Sequence, residues 1–151
     1  MKRKKIIKNL ILIFGPLLCG TIISFFIDTN IYNLVNKPPL SPPKVVFPIV
    51  WSILYLLMGI SVYLISKSNN DKVTFSLFIK QLIINLFWPI VFFNFKWYFI
   101  AVIWLLLLIF FVIKMIQSFF NNKKIAALLQ FPYLIWLFFA IYLNIGVAIL
   151  N

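Results

Sequence analysis

The stretch VVFPIVWSILYLLMGISVYLI, from Val45 to Ile65, runs for 21 residues without a charge. A helix needs about 20 mainly apolar residues to cross a bilayer. Four further long apolar runs, none with more than one charge, flank it over residues 6–27, 75–94, 97–119 and 125–150. The spacing predicts an all-α integral membrane protein, a bundle of five transmembrane helices forming one domain over residues 1–151. Composition agrees, with 64% hydrophobic and only 11% charged residues. A soluble domain is about half apolar and a quarter charged, so a water-soluble globular enzyme is excluded, and disorder with it. Five spans with short connections leave no length for a separate soluble domain.

The breakers inside these runs are compatible with spans. Gly15, Pro16 and Gly20 lie in the first, Pro89 in the third and Pro132 near the start of the fifth. Membrane helices tolerate them where neighbours satisfy the freed backbone groups. The amino terminus imitates a secretory signal, but its apolar run is long and lacks a small-x-small cleavage site, so a retained first span is expected.

The net charge is +12, from 14 Lys and Arg against 2 Asp and Glu. Lys2, Arg3, Lys4, Lys5 and Lys8 crowd the amino terminus, and the second and fourth connections add Lys67, Lys72, Lys123 and Lys124. The alternate connections carry Lys37, Lys44 and Lys96. Bases near span ends set orientation and meet anionic lipid, so the amino terminus is expected in the cytoplasm. No aromatic-interleaved basic face lies outside the spans, and nucleic acid is not an expected partner. His and Glu are absent, the carboxylates are Asp28 and Asp71, and the single thiol is Cys19. No zinc set and no His-based triad can be built from these. Cys19 reads as a small buried apolar residue.

The first connection contains Lys37-Pro38-Pro39-Leu40-Ser41-Pro42-Pro43. Proline pairs fix φ and push each preceding residue toward extended geometry. The segment is either a stiff lid over one mouth of the bundle or a rigid connector into the second span. Trp51 and Tyr55 share a helix face, as do Asn85 and Trp88. Pro132, Trp136, Ala140 and Asn144 recur every four residues as one stripe on the fifth span. Indole and amide groups in a bilayer need partners, so these faces are expected to point toward each other. Interhelical hydrogen bonding and packing would account for them, and so would a pocket for a flat aromatic ligand.

Three motifs extend the pattern. Phe47-Pro48-Ile49-Val50-Trp51-Ser52-Ile53-Leu54-Tyr55 is followed by Met58-Gly59. Gln81-Leu82-x-x-Asn85-x-x-Trp88-Pro89-x-x-Phe92-Phe93 comes next, and then Pro132-Tyr133-x-x-Trp136-x-x-Phe139-Ala140-x-x-Leu143-Asn144. This set, on three helices of a five-span chain, resembles the TspO/MBR family of translocator proteins, also called tryptophan-rich sensory proteins or peripheral benzodiazepine receptors. The resemblance implies a five-helix bundle, often a homodimer, with a pocket opening toward the first loop. It implies tetrapyrrole ligands such as protoporphyrin IX and haem, with porphyrin as ligand and no required cofactor. Carried over, it places Trp51, Tyr55, Asn85, Trp88, Trp136, Ala140 and Leu143 around the pocket, and Lys37, Pro38, Pro42 and Pro43 in the lid. Asn85, loop amides or Lys37 would meet propionates. Some bacterial members degrade protoporphyrin in light, which implicates Trp51 and Trp136 as the only catalytic candidates.

This chain departs from the family pattern at Ile31, Leu40, Val45 and Ala148, where many members carry tryptophan. The carboxy-terminal sterol motif of animal members is missing, since no Lys or Arg follows Tyr142, and sterol transport is not expected. A tetrapyrrole-binding membrane protein in porphyrin homeostasis or stress sensing is the leading expectation, in a bacterial plasma membrane. Two alternatives remain: light-dependent porphyrin degradation, driven by the ligand's own excited state with Trp as electron partner, and passive transport of a lipophilic molecule. Mid-span carboxylates, usual in ion-coupled carriers, are lacking.

Overall fold

A computed structural model describes residues 2–68 and 72–151; Asp71 lies outside the described residues. Helices run α1 (Lys2–Ser24), α2 (Ile31–Leu34), α3 (Val46–Ser68), α4 (Lys72–Pro89), α5 (Tyr98–Asn122), α6 (Lys124–Leu128) and α7 (Phe131–Leu150). A π-helical turn, Ile90–Asn94, continues α4. Five segments are long and apolar enough to cross a membrane: Arg3–Ser24, Val46–Ser68, Lys72–Asn94, Tyr98–Asn122 and Lys124–Leu150. The all-helical five-span architecture is therefore the one expected from the apolar runs.

The ends of the spans differ from expectation for identifiable reasons. The first helix stops at Ser24 rather than near residue 27. Asn94 captures the chain just beyond it, donating from Nδ2 to the Phe26 carbonyl at 2.6 Å and accepting the Asp28 N–H at 3.0 Å. The last span is two helices, α6 and α7, because Pro132 has no N–H to continue the ladder. Pro89 likewise interrupts α4, and the chain recovers through a π turn in which the Phe95 N–H reaches back to the Ile90 carbonyl at 3.1 Å. Such turns insert an extra residue into a helix and collect at functional sites.

The spans close into a ring in the order α1, α3, α6–α7, α5, α4, with α1 completing it only lightly against α4. Inside, α5 supplies Leu105, Leu108, Val112, Met115 and Phe119, all fully buried, against Met58 and Val62 of α3 and Tyr133 and Leu137 of α7. The outer surface is apolar too, from Ile11 and Leu18 on α1 to Ile103 on α5 and Ile135 on α7, as a lipid-facing surface must be. Cys19 is exposed, which corrects the expectation of a buried thiol: α1 packs closely on α3 and only lightly on α4. Pro132 is also exposed, although its neighbour Tyr133 is fully buried.

Most of the basic residues gather at one end. Lys67 donates to Asn9 Oδ1 at 3.1 Å, joining the amino-terminal region to the end of α3. Asn122 Nδ2 reaches Thr74 Oγ1 at 3.1 Å, joining the end of α5 to the start of α4. Asp28, Lys37, Lys44 and Lys96 lie at the other end.

Gly59 sets the α1–α3 approach. A Cβ at that position would run into the Ile13 carbonyl of α1, whereas one at Gly15 would meet nothing within 4 Å. Backbone cannot yield as a flexible side chain can. Gly59→Ala is expected to destabilise the protein by about 1–3 kcal/mol, and Gly15→Ala to leave it unchanged or slightly more stable. Thermal unfolding of both variants in detergent checks this; equal midpoints would contradict it.

Candidate functional site

Four polar side chains from three helices form a buried chain of hydrogen bonds. The Tyr55 hydroxyl of α3 donates to Asn85 Oδ1 of α4 at 2.6 Å. Asn85 Nδ2 donates to the Tyr133 hydroxyl of α7 at 2.9 Å, and that hydroxyl donates to Gln81 Oε1 at 3.0 Å. A second link is made by the Trp88 indole, which donates to Asn144 Oδ1 at 3.1 Å, while Asn144 Nδ2 reaches the Tyr98 carbonyl at 3.0 Å. The polar faces of the second, third and fifth spans thus point toward each other. Gln81 and Tyr133 belong to the sequence motifs but not to the expected pocket residues, although Tyr133 stands four residues before Leu137 and seven before Ala140 on one helical face.

Above this chain lies a cavity of about 570 Å³ between α1, α3 and α4. Gly20, Ile23 and Ser24 line it from α1; Phe47, Pro48, Trp51 and Tyr55 from α3; and Asn85, Trp88 and Pro89 from α4, with Phe93 from the π turn. The first connection adds Ile27, Thr29, Tyr32, Lys44 and Val45. Gly20 is required here, since a Cβ would collide with the Tyr55 ring. Gly20 and Ser24, a small-xxx-small pair, therefore face inward.

A second space, a crevice of about 30 Å³, runs toward α7 and is lined by Trp136, Ala140, Leu143, Asn144 and Val147, with Lys37 and Ser41. Tyr32, Phe47, Trp51, Trp88 and Phe93 border both spaces and form the partition between them. The rings interlock edge to face: Tyr32 and Phe47 centroids are 5.1 Å apart, and Phe47 and Trp136 are 6.0 Å apart. The crevice has room for little more than a water or two. Of the seven residues expected around one pocket, Trp51, Tyr55, Asn85 and Trp88 line the cavity, and Trp136, Ala140 and Leu143 line the crevice alone. The sequence places them on matching helix faces; the aromatic partition depends on Tyr32, Phe47 and Phe93, which no spacing rule selects. Trp136 Nε1 is buried with no hydrogen-bond partner among the described residues.

The proline-rich connection is fastened over these spaces. Pro38 to Ser41 make a tight turn, with the Ser41 hydroxyl donating to the Pro38 carbonyl at 2.7 Å. Leu40 takes φ 65° there, a left-handed conformation that glycine usually supplies. The Tyr32 hydroxyl donates to the Pro42 carbonyl at 2.5 Å, and Tyr142 of α7 donates to the Pro39 carbonyl at 2.6 Å. Burial raises the Tyr32 phenol above its ordinary value, so it remains a donor throughout the neutral range. Pro38 packs against Gly146 of α7. Asn36 and Asn151 exchange two hydrogen bonds of 2.9 Å. Pro43 is exposed, and its carbonyl accepts the Val46 N–H at 3.0 Å to open α3. The Lys37 ammonium donates to the Tyr32 carbonyl at 2.9 Å and lies over that ring, 4.6 Å from its centroid.

A family model described as TspO/MBR matches residues 12–150. The chain is 36% identical over 124 residues to the tryptophan-rich protein TspO of Chlorobaculum tepidum, covering 80% of this chain and 78% of that one. It is 33% identical over 151 residues to the TspO of the archaeon Archaeoglobus fulgidus, covering 97% and 98%. The translocator protein of Ovis aries shares 35% over 118 residues, 75% of this chain and 70% of its own length. With the matched residues spanning all five membrane helices and the three motifs that build the cavity, this chain belongs to the TspO/MBR family.

Proposed function

We propose that the α1–α3–α4 cavity binds tetrapyrroles such as protoporphyrin IX and haem, and that the protein serves porphyrin homeostasis or stress sensing. The observation that carries the reading is an apolar cavity of about 570 Å³ flanked by the indoles of Trp51 and Trp88. Cavities of about 300–1,000 Å³ suit ligands of this class, and flat π-systems stack on indole. The polar chain behind the indoles holds Trp88 and Tyr55 in place, so the stacking surfaces are set before a ligand arrives. The fastened proline-rich connection acts as the lid. The protein is a multi-pass membrane protein; a bacterial plasma membrane with the basic end in the cytoplasm, and a homodimeric assembly, complete the proposal.

A porphyrin titration in lipid nanodiscs, read at the porphyrin absorption band, tests this. Saturable binding is expected for the unaltered protein. Trp51→Phe should weaken it about three- to tenfold, the scale of one aromatic stacking contact. Trp136→Phe, which alters only the crevice, should change it less than twofold. Binding no stronger than to empty nanodiscs would contradict the proposal, and a larger effect of Trp136→Phe would put the ligand in the crevice.

One observation favours a second reading, light-dependent porphyrin degradation. Trp51 opens onto the cavity with its ring 5.6 Å from that of Tyr55, so an excited ligand would lie against an oxidisable side chain backed by another. Illumination should bleach bound porphyrin, and Trp51→Phe should slow the bleaching severalfold. Unchanged bleaching in Trp51→Phe combined with Trp136→Phe would end this reading and leave the binding proposal intact.

A further inference from the structure

We infer that Lys44 is the anion-pairing residue of the cavity, and that the site selects ligands with a flat apolar body and a peripheral carboxylate. The inference rests on the cavity being a tetrapyrrole site and adds the charge of the ligand and the residue that reads it.

Lys37 and Asn85, the side chains expected to meet ligand carboxylates, are both engaged. The Lys37 ammonium is held by the Tyr32 carbonyl and ring, and it borders the crevice rather than the cavity. Both ends of the Asn85 amide are bonded, to Tyr55 and Tyr133. Lys44 differs. It is half-buried, it lines the cavity, and among the described residues its ammonium has neither a hydrogen bond nor an ion pair. It stands where the first connection enters α3, and it lines the cavity together with Thr29 and Tyr32 of that connection. Trp51, Tyr55 and Trp88 line the same cavity from α3 and α4. A long flexible stem lets the ammonium stay at the wet edge while its methylenes lie on apolar wall.

The electrostatics follow. An ammonium left unpaired beside an apolar cavity loses part of its hydration without a compensating partner. A carboxylate on the ligand's edge restores that partner, and the low-dielectric wall strengthens the pair relative to one in water. A neutral ligand of the same shape would leave the cation as it was, and a cationic one would be repelled. The site therefore discriminates by charge at Lys44 and by shape along its aromatic wall. An anionic lipid headgroup offers the same chemistry at the same position, and a competition arm separates the two sources.

The test compares protoporphyrin IX with its dimethyl ester, which has the same ring and no carboxylate, in nanodiscs of phosphatidylcholine alone. The unaltered protein should bind the diacid about five- to tenfold more tightly than the ester. Lys44→Gln should abolish that preference by weakening only the diacid, and Lys44→Arg should keep it. Lys96→Gln, which removes an exposed charge at the same end of the bundle, should also keep it. Ester binding equal in Lys44→Gln and unaltered protein shows that the variant is folded. Adding phosphatidylglycerol should weaken diacid binding only modestly if the porphyrin carboxylate is the favoured anion; full displacement by phosphatidylglycerol would assign the site to lipid and overturn the inference. A diacid preference that survives Lys44→Gln would overturn the role of Lys44 while leaving the cavity a porphyrin site. Absence of saturable binding by both porphyrins would instead remove the tetrapyrrole reading, and the inference with it.

Discussion

Within a bilayer no water satisfies a polar side chain, so each must find its partner in the protein. Asn85 is the point where this constraint organises the bundle. One amide accepts from Tyr55 on α3 and donates to Tyr133 on α7. Three helices, α3, α4 and α7, are thereby fixed in rotation as well as in distance. A hydrogen bond between membrane helices contributes only about 0.6 kcal/mol on average, so the consequence is register more than stability. Turning α3 by one residue would strand the Tyr55 hydroxyl and leave Asn85 Oδ1 without its donor.

The cavity follows from that register together with the breakers. Tyr55 is held toward Asn85, and its ring occupies the place that a side chain at residue 20 would need. Glycine there lets α1 lie beside α3 without filling the space. The π turn after Pro89 carries Phe92 and Phe93 inward on consecutive positions, with Phe92 4.8 Å from Phe93 and 5.4 Å from Trp88 between ring centroids. The proline-rich connection then covers the opening with carbonyls that Tyr32 and Tyr142 bind. Large side chains wall the space, and glycine, proline and hydrogen-bonded carbonyls keep it open.

The five spans were legible because membrane helices leave long apolar runs with almost no charge, and the polar faces because Trp51, Tyr55, Asn85 and Trp88 recur at helical spacing. Tyr133 and Gln81 stand in the motifs without a legible role, since a tyrosine in an aromatic-rich helix looks like packing until its hydroxyl is placed. The split into cavity and crevice was illegible for a different reason. It depends on how Tyr32, Phe47 and Trp136 meet across segments about 15 and 90 residues apart in the sequence, and periodicity carries no information on contacts between segments. The same reason hid the contrast between Lys37 and Lys44: seven positions apart in one connection, one bonds its own loop and the other faces the cavity. Cys19 and Pro132 are exposed, because burial in a five-helix ring depends on which neighbour each helix acquires.

The most direct measurement is an experimental structure of the protein with protoporphyrin IX bound in lipid. The macrocycle is expected between α1, α3 and α4, against Trp51 and Trp88, with a carboxylate edge toward Lys44 and the Tyr55–Asn85–Tyr133 chain unbroken behind it. A macrocycle lodged against Trp136 and Ala140 with the aromatic partition displaced, or on the outer lipid-facing surface, would contradict it.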